Sequence, residues 1–271
     1  MNTRLRVLLV GRGRMGQLVE SLAPEYDIEI AGSITRRNAG DPAAWATADV
    51  AIDFSVADAV PVNARALASR GLSLVIGTTG WHDQAEALRR DLTAMEAGVI
   101  AAPNFAIGVN AFLAMAEQAA GLMADRGFAA WIHEAHHAAK KDAPSGTARA
   151  LQSVVEAAGL TVDISSTRAG YIPGTHTVGF DSPAETITFT HTARDRTAFA
   201  RGALEAAQWI HGRRGWFTMR DLLDDGPLKK HERGATAETL KKHERGSHGG
   251  NTVETLKEHE RAATAETRRK H

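Results

Sequence analysis

Residues 5–10 read LRVLLV, and Gly11-Arg12-Gly13-Arg14-Met15-Gly16 follows without a break. No other feature narrows the fold as much. The run is of strand length and lacks polar alternation, the pattern of a strand covered on both faces. The next residues, QLVESLA, carry helical spacing. Glycines spaced G-x-G-x-x-G between a strand and a helix allow a tight turn and close approach of a pyrophosphate to the free amides of the helix start. Without that context the same glycines would mark an ordinary strand–helix joint.

The alternation repeats. IEIAGSI (28–34), DVAIDFS (49–55), LSLVIG (72–77) and GVIAAPNF (98–105) are further strand candidates, with helical stretches over 56–70 and 82–97. Strands and helices in turn, joined by short glycine-bearing segments, predict an α/β fold built on a Rossmann-like parallel sheet. Beyond Asn104 the pattern changes. A helix over 109–125 leads to FAAWIHE, which alternates like a strand, and a second helix spans 145–158. DISSTRAG, THTVGF and ETITFTHTA then supply three β-rich pieces. This grouping predicts an antiparallel or mixed sheet packed on two helices. Helical spacing returns over 199–212, and GWFTMRDLLD closes the body. The expected organisation is a dinucleotide-binding domain over 1–106, completed by 201–225, with an α+β substrate-binding domain inserted at 107–200.

The last stretch differs in kind. Residues 226–271 hold 11 Lys+Arg against 7 Glu and repeat themselves as LKKHERGATAET, LKKHERGSHGGNTVET and LKEHERAATAET. Leu228, Leu240, Val253 and Leu256 are the only large aliphatics there, too few to offset the entropy of ordering the segment. It reads as a disordered or partly helical appendage, and its interleaved glutamates argue against a nucleic-acid or membrane arm. The chain has no cysteine, which excludes disulfides and thiolate metal sites. No apolar run reaches membrane-spanning length. The apolar run near the start ends in a glycine loop rather than a cleavage site, so it reads as a strand and not a signal peptide. The expected setting is cytoplasmic.

Two charged features point to ligands. An NAD site usually places an acidic residue some twenty positions after the glycine loop. Here the second strand ends in Thr35-Arg36-Arg37. Two guanidiniums suit a 2′-phosphate, which favours NADPH with NADH as the alternative; the bland reading is a solvated Arg pair. The other feature is EAHHAAKKDAPSGTA (134–148). Up to Asp225 the only lysines are Lys140 and Lys141, both in this stretch. His136 and His137 can titrate near neutral pH, and Lys140 can donate a proton where Arg cannot. Ser145 reads as a helix N-cap. The amides of Gly146 and Thr147, with the hydroxyls, form a carboxylate-binding turn. A small acidic substrate fits; simple surface pairing of Glu134 and Asp142 with the cations is the rival reading. His133-Glu134-Ala135-His136-His137 also matches H-E-x-x-H, with Glu156 downstream as a third candidate ligand. That motif holds zinc only on a helix, and FAAWIHE alternates like a strand, so no metal is expected.

These residues carry a resemblance. The stretch from Glu134 through His136, His137, Lys140 and Asp142 to Ala148 resembles the signature of 4-hydroxy-tetrahydrodipicolinate reductases, the dihydrodipicolinate reductases of the diaminopimelate/lysine pathway. The likeness extends over nearly all of 4–225: GRMG (13–16), IDFS (52–55), IGTTGW (76–81), PNFAIGVN (103–110), PGTHTVGF (173–180) and GWFTMRDLL (215–223) stand in the family's order. It implies NAD(P)H-dependent reduction of a cyclic imine dicarboxylate by a homotetramer assembled through the inserted domain. By matching positions, Gly11, Arg12, Gly13, Arg14, Met15 and Gly16 would hold the pyrophosphate. Gly77, Thr78 and Thr79, with Ala102, Pro103, Asn104 and Phe105, would line the nicotinamide. His136 would be the proton donor/acceptor and Lys140 the proton donor, with His137, Ser145, Gly146 and Thr147 binding substrate. The chain departs from the family in three ways. Its glycine loop is one residue shorter than GxxGRMG, Arg36 stands where many members are acidic, and the tail matches nothing. A related imine or amino-acid dehydrogenase, and a dinucleotide-binding sensor without turnover, are the competing functions.

Overall fold

The computed structural model describes residues 4–226. The tail expected to be disordered or partly helical lies outside the described residues, apart from Gly226. Strand β1 (Leu5–Val10) is covered on both sides, as its unbroken apolar run predicts. Val7 and Leu9 enter one core, while Leu8 and Val10 enter the other. Fully burying each such side chain contributes about 1.5–3 kcal/mol. Strands β2 (Ile28–Ile34), β3 (Val50–Asp53), β4 (Ser73–Ile76) and β5 (Gly98–Ala101) join it. A further strand, β10 (Gly215–Phe217), completes a six-stranded sheet of order β10-β5-β4-β3-β1-β2, parallel throughout.

Helices α1 (Arg14–Leu22) and α6 (Thr197–Ile210) cover the Val7/Leu9 face. Helices α2 (Val60–Ala68) and α3 (Ala85–Ala94) cover the other. The β2–β3 connection has no α-helix. Trp45 is buried in the second core and donates its Nε1–H to the Asn38 carbonyl at 2.8 Å, holding that segment down.

The second sheet has the order β7-β6-β8-β9, built from β6 (Ala129–His136), β7 (Val162–Arg168), β8 (Gly174–Asp181) and β9 (Thr186–Ala193). It is mixed: β6 and β7 run parallel, and the other neighbours antiparallel. Strand periodicity sends Ala130, Ile132, Val162, Val178 and Phe180 inward against α4 (Ile107–Met123) and α5 (Gly146–Ala157). The opposite face carries paired threonines, Thr175 with Thr192 and Thr177 with Thr190. It also carries Trp131, whose ring lies where a Cβ on Gly179 would otherwise stand. The short helix α7 (Met219–Asp224) closes the body.

Candidate active site

In an open parallel sheet, ligands bind beyond the carboxyl ends of the strands where the strand order reverses. Here that point is β1, flanked by β2 and β3. A cleft of about 490 Å³ lies there, and Gly11, Arg12, Gly13, Arg36, Arg37 and Ser55 line it. Gly11 has φ +88°, and a Cβ on it would come within 2.6 Å of the Phe54 carbonyl. A Cβ on Gly16 would lie 2.2 Å from the Gly11 carbonyl oxygen. The loop thus closes on itself only with glycine at both positions, which leaves the α1 start bare for an anion. The cradle fits a dinucleotide pyrophosphate.

The remaining loop residues divide. Arg12 pairs with Glu20 at 3.0 Å. Arg14 lines a separate depression with Gln17, Leu18 and Arg196, and Met15 packs against the core. The Arg36-Arg37 turn is organised by Asn38, whose Oδ1 accepts from the Thr35 amide at 2.7 Å and whose Nδ2 donates to the Ser33 carbonyl at 3.0 Å.

A second hollow, about 180 Å³, is lined by Thr78, Thr79, Ala102 and Pro103, with Trp81 and Trp216. Buried Asp53 supports it. Asp53 Oδ1 accepts from the hydroxyls of Ser55 (2.6 Å) and Thr78 (2.8 Å). Burial raises the Asp53 pKa, against these hydrogen bonds. A Cβ on Gly77 would stand 2.2 Å from the Phe54 ring, so any other residue there must displace that ring. Asn104 caps the Ala106 amide, and Asn110 Nδ2 donates to the carbonyls of Asn104 and Ala106, each at 2.9 Å. Phe105 is buried and turns into the core rather than the hollow.

The EAHHAAKKDAPSGTA stretch lies at the end of β6 and the start of α5. In the inward phase of β6, after Ala130 and Ile132, come Glu134 and His136. Arg168 is the cross-strand neighbour of His136 on β7, and His176 that of Glu134 on β8. Glu134 is wholly buried, with Arg168 Nη2 2.7 Å from Oε1 and His136 Nδ1 2.5 Å from Oε2. The second contact is a close ion-pair approach off the directionality of a hydrogen bond. Burial would raise the Glu134 pKa, but the Arg168 hydrogen bond and charge prevail and lower it to about 2. Burial lowers the pKa of His136, with Glu134 opposing. His176 is lowered to about 4, first by burial and then by His136. Its ring meets that of His136 edge-on, with centroids 5.0 Å apart.

Ser145 N-caps α5, accepting the Ala148 amide at 3.2 Å, and its Oγ is 2.8 Å from His176 Nε2. Its hydroxyl is buried and already partnered. Gly146 and Thr147 open the helix, where the first-turn amides have no intrahelical partner. His137 is exposed, and Lys140 Nζ is held by Asp142 at 2.8 and 2.9 Å. Arg168 also donates to the Asp142 carbonyl at 2.5 Å, which ties this loop to β7. Glu134, His136 and His176 bring one donor atom each within 4.8 Å of one another, but Arg168 already supplies the carboxylate with a cation. The H-E-x-x-H string is not zincin-like. On a strand Glu134 turns away from His133, which instead meets Ser165 at 2.9 Å on the outer face.

The motifs give no role to Asp53, Asn110 or His176, which lie inside IDFS, PNFAIGVN and PGTHTVGF, and they pass over Arg168. A usable signal exists for two of them: Arg168 and His176 are polar residues in the apolar phase of an alternating strand.

A glycine cradle at a sheet switch point, joined to a cluster of titratable groups beside a helix start, defines a dinucleotide-dependent oxidoreductase. Comparison with known proteins makes this specific. Family models for dihydrodipicolinate reductase match in two parts, the N-terminus over residues 5–105 and the C-terminus over 108–223. The chain belongs to the dihydrodipicolinate reductase family. The 4-hydroxy-tetrahydrodipicolinate reductase of Acidiphilium cryptum (strain JF-5) is 41% identical over 244 residues, covering 81% of this chain and 97% of the relative. That of Christiangramia forsetii (strain DSM 17595 / CGMCC 1.15422 / KT0803) is 34% identical over 235 residues, covering 82% and 98%. The solved structure of dipicolinate-bound dihydrodipicolinate reductase from Paenisporosarcina sp. TG-14 shares the fold. Its TM-score is 0.68 at 22% identity, over 80% of this chain and 98% of that one.

Proposed function

We propose that the protein reduces 4-hydroxy-tetrahydrodipicolinate to tetrahydrodipicolinate with NADPH, releasing water and the oxidised coenzyme, as a step of diaminopimelate/lysine biosynthesis. The observation that carries this is the Arg168–Glu134–His136 cluster set against the α5 start, within a chain whose relatives bear that activity in their names. The bound nicotinamide supplies the hydride. Gly11, Gly13 and the α1 start would hold the pyrophosphate, and Arg36 and Arg37, which line the same cleft, would meet the 2′-phosphate. Thr78, Thr79, Ala102 and Pro103 orient the nicotinamide.

Gly146 and Thr147 bind one substrate carboxylate through first-turn amides and a hydroxyl, with exposed His137 at the rim. Lys140 leaves Asp142 to meet the substrate and donate a proton, and His136 serves as proton donor/acceptor. Hydride addition makes the ring electron-rich, and a nearby cation with a transferable proton stabilises that change. The glycine-loop and switch-point region acts as the nucleotide domain (1–106 with 201–225) and 107–200 as the substrate domain, closing about hinges near the two crossings. A cytoplasmic homotetramer belongs to the same proposal, supported by the resemblance and by the outer face of the second sheet, which no helix or strand among the described residues covers.

The test is NADPH consumption with freshly generated substrate, comparing wild type with Lys140→Ala and Lys140→Arg. Turnover by wild type, with a loss of about 10²–10⁴-fold in both variants and unchanged NADPH binding, is the expected result. NADPH binding without consumption would instead favour a sensor. Turnover only with other imines or keto acids would favour a related dehydrogenase.

A further inference from the structure

We propose that Glu134, clamped by Arg168, is a positioning residue that holds the Nδ1 edge of His136 and so makes Nε2 the proton-transferring edge. The proposal rests on the reading of His136 as proton donor/acceptor and assigns that site a support of its own.

The surroundings of the imidazole leave it little choice of orientation. Glu134 is 0% exposed, and a buried carboxylate persists only when paired. Arg168 takes one oxygen at 2.7 Å, and the other faces His136 Nδ1 at 2.5 Å. The opposite edge of the ring lies over Gly174, where a Cβ would stand 2.9 Å from Nε2. Any other residue at 174 would crowd the nitrogen that the proposal makes reactive. His176 packs edge-on against the ring and is itself tied to Ser145, the cap of the helix that offers the carboxylate site. The charged or titratable groups around His136 are Glu134 on its own strand, Arg168 on β7, His176 on β8, and Lys140 on the following loop.

Protons and charge balance as follows. As imidazolium, His136 carries a proton on each nitrogen. The Nε2 proton passes to the electron-rich ring left by hydride addition, where a substrate electron pair forms the new bond. The proton on Nδ1 stays in ion-pair contact with Glu134, which remains anionic throughout. The transfer removes the positive charge from the imidazole and the excess electron density from the substrate. Arg168 keeps Glu134 from taking the proton itself.

The experiment uses the full chain with Glu134→Gln, which offers its carbonyl to Arg168 and its NH₂ to Nδ1, forcing the neutral ring to carry its proton on Nε2. The expected result is a fall in kcat of about 10²-fold or more, while KM and NADPH affinity stay within a few fold. The His136-dependent limb of the rate profile should move to lower pH, because an anion that favours imidazolium is gone. In a His136→Gln background, Glu134→Gln should cost nothing further. Independent, multiplying losses would overturn the positioning role, and so would a Glu134→Gln enzyme of wild-type rate beside an inactive His136→Gln. A fully active His136→Gln would bring down the reading of His136 and this inference with it. Imidazole ¹⁵N spectra of the wild type test the same assignment without requiring any variant to fold. Nδ1–H in the neutral form supports the proposal, and Nε2–H overturns it.

Discussion

Gly202 on α6 lies so close to Phe105 that a Cβ on it would stand 1.7 Å from the Phe105 carbonyl oxygen. The contact joins the helix that covers the sheet to the turn proposed to line the nicotinamide. Gly202→Ala must push one of them away, and overpacking a tight core contact costs about 1–3 kcal/mol. Urea unfolding should show that loss, and coenzyme titration should show weaker NADPH binding. Gly121 on α4 is the control. Among the described residues nothing lies within 4 Å of its Cβ position, so Gly121→Ala should gain about 0.5–1 kcal/mol from helix propensity.

Acid should weaken the fold in two stages. The folded pKa of His176 lies near 4, below its ordinary value of 6.5, so the unfolded chain binds the proton first. Its contribution is present above pH 6.5 and is lost as pH falls toward about 4. Glu134, lowered from 4.5 to about 2, contributes above pH 4.5 and loses that contribution toward pH 2. Unfolding free energy measured from pH 7 to 3 should therefore fall from the high end, and His176→Asn should shrink the upper stage, to which partly buried His136 and His191 also contribute, while leaving the lower one.

Arg36 and Arg37 share the cleft with the glycine loop. If they grip a 2′-phosphate, replacing both with Ala removes charge-assisted bonds worth about 1.5–3 kcal/mol each. The expected outcome is NADPH affinity lower by tenfold or more, with NADH affinity nearly unchanged. Equal effects on both coenzymes would mark the pair as bystanders.

Asp53 Oδ1 gathers the Ser55 and Thr78 hydroxyls. Asp53→Ala strands both groups, at a cost of about 1–3 kcal/mol for each that is left unpaired. Stability should drop, and KM for the coenzyme should rise through the displaced Thr78. Asp53→Asn, which keeps one acceptor, should retain much of both.

The parallel sheet is legible because buried strands write themselves as apolar runs, and LRVLLV does so on both faces. The sixth strand is not, since Gly215–Phe217 is three residues long and too short for any period to register. The β2–β3 link gives no helical pattern and forms no α-helix; what holds it is Trp45, a tertiary contact with no local signature. In the site, motif spacing places His136, Lys140 and the α5 start in one region. Arg168 and His176 enter only through strand register, a relation between distant segments that a single pass along the chain does not pair. The sequence offers Ser145 as cap and ligand-binding hydroxyl together, and the fold gives that hydroxyl to the Ala148 amide and His176.

The strand β10 pairs Gly215–Phe217 with Gly98–Ile100, and α6 supplies Ala200, Ala203, Leu204, Ala207 and Ile210 to the core begun by Val7 and Leu9. During synthesis, the first five strands leave the ribosome with only α1 on the Val7/Leu9 face. The part of it that α6 covers stays wet until the whole second sheet has been made and Ile210 has emerged. The nascent chain thus carries an apolar surface while the second sheet is being made, a target for chaperones and a site of misassembly if translation stalls there. The order of the segments puts closure of the first sheet after synthesis of the second.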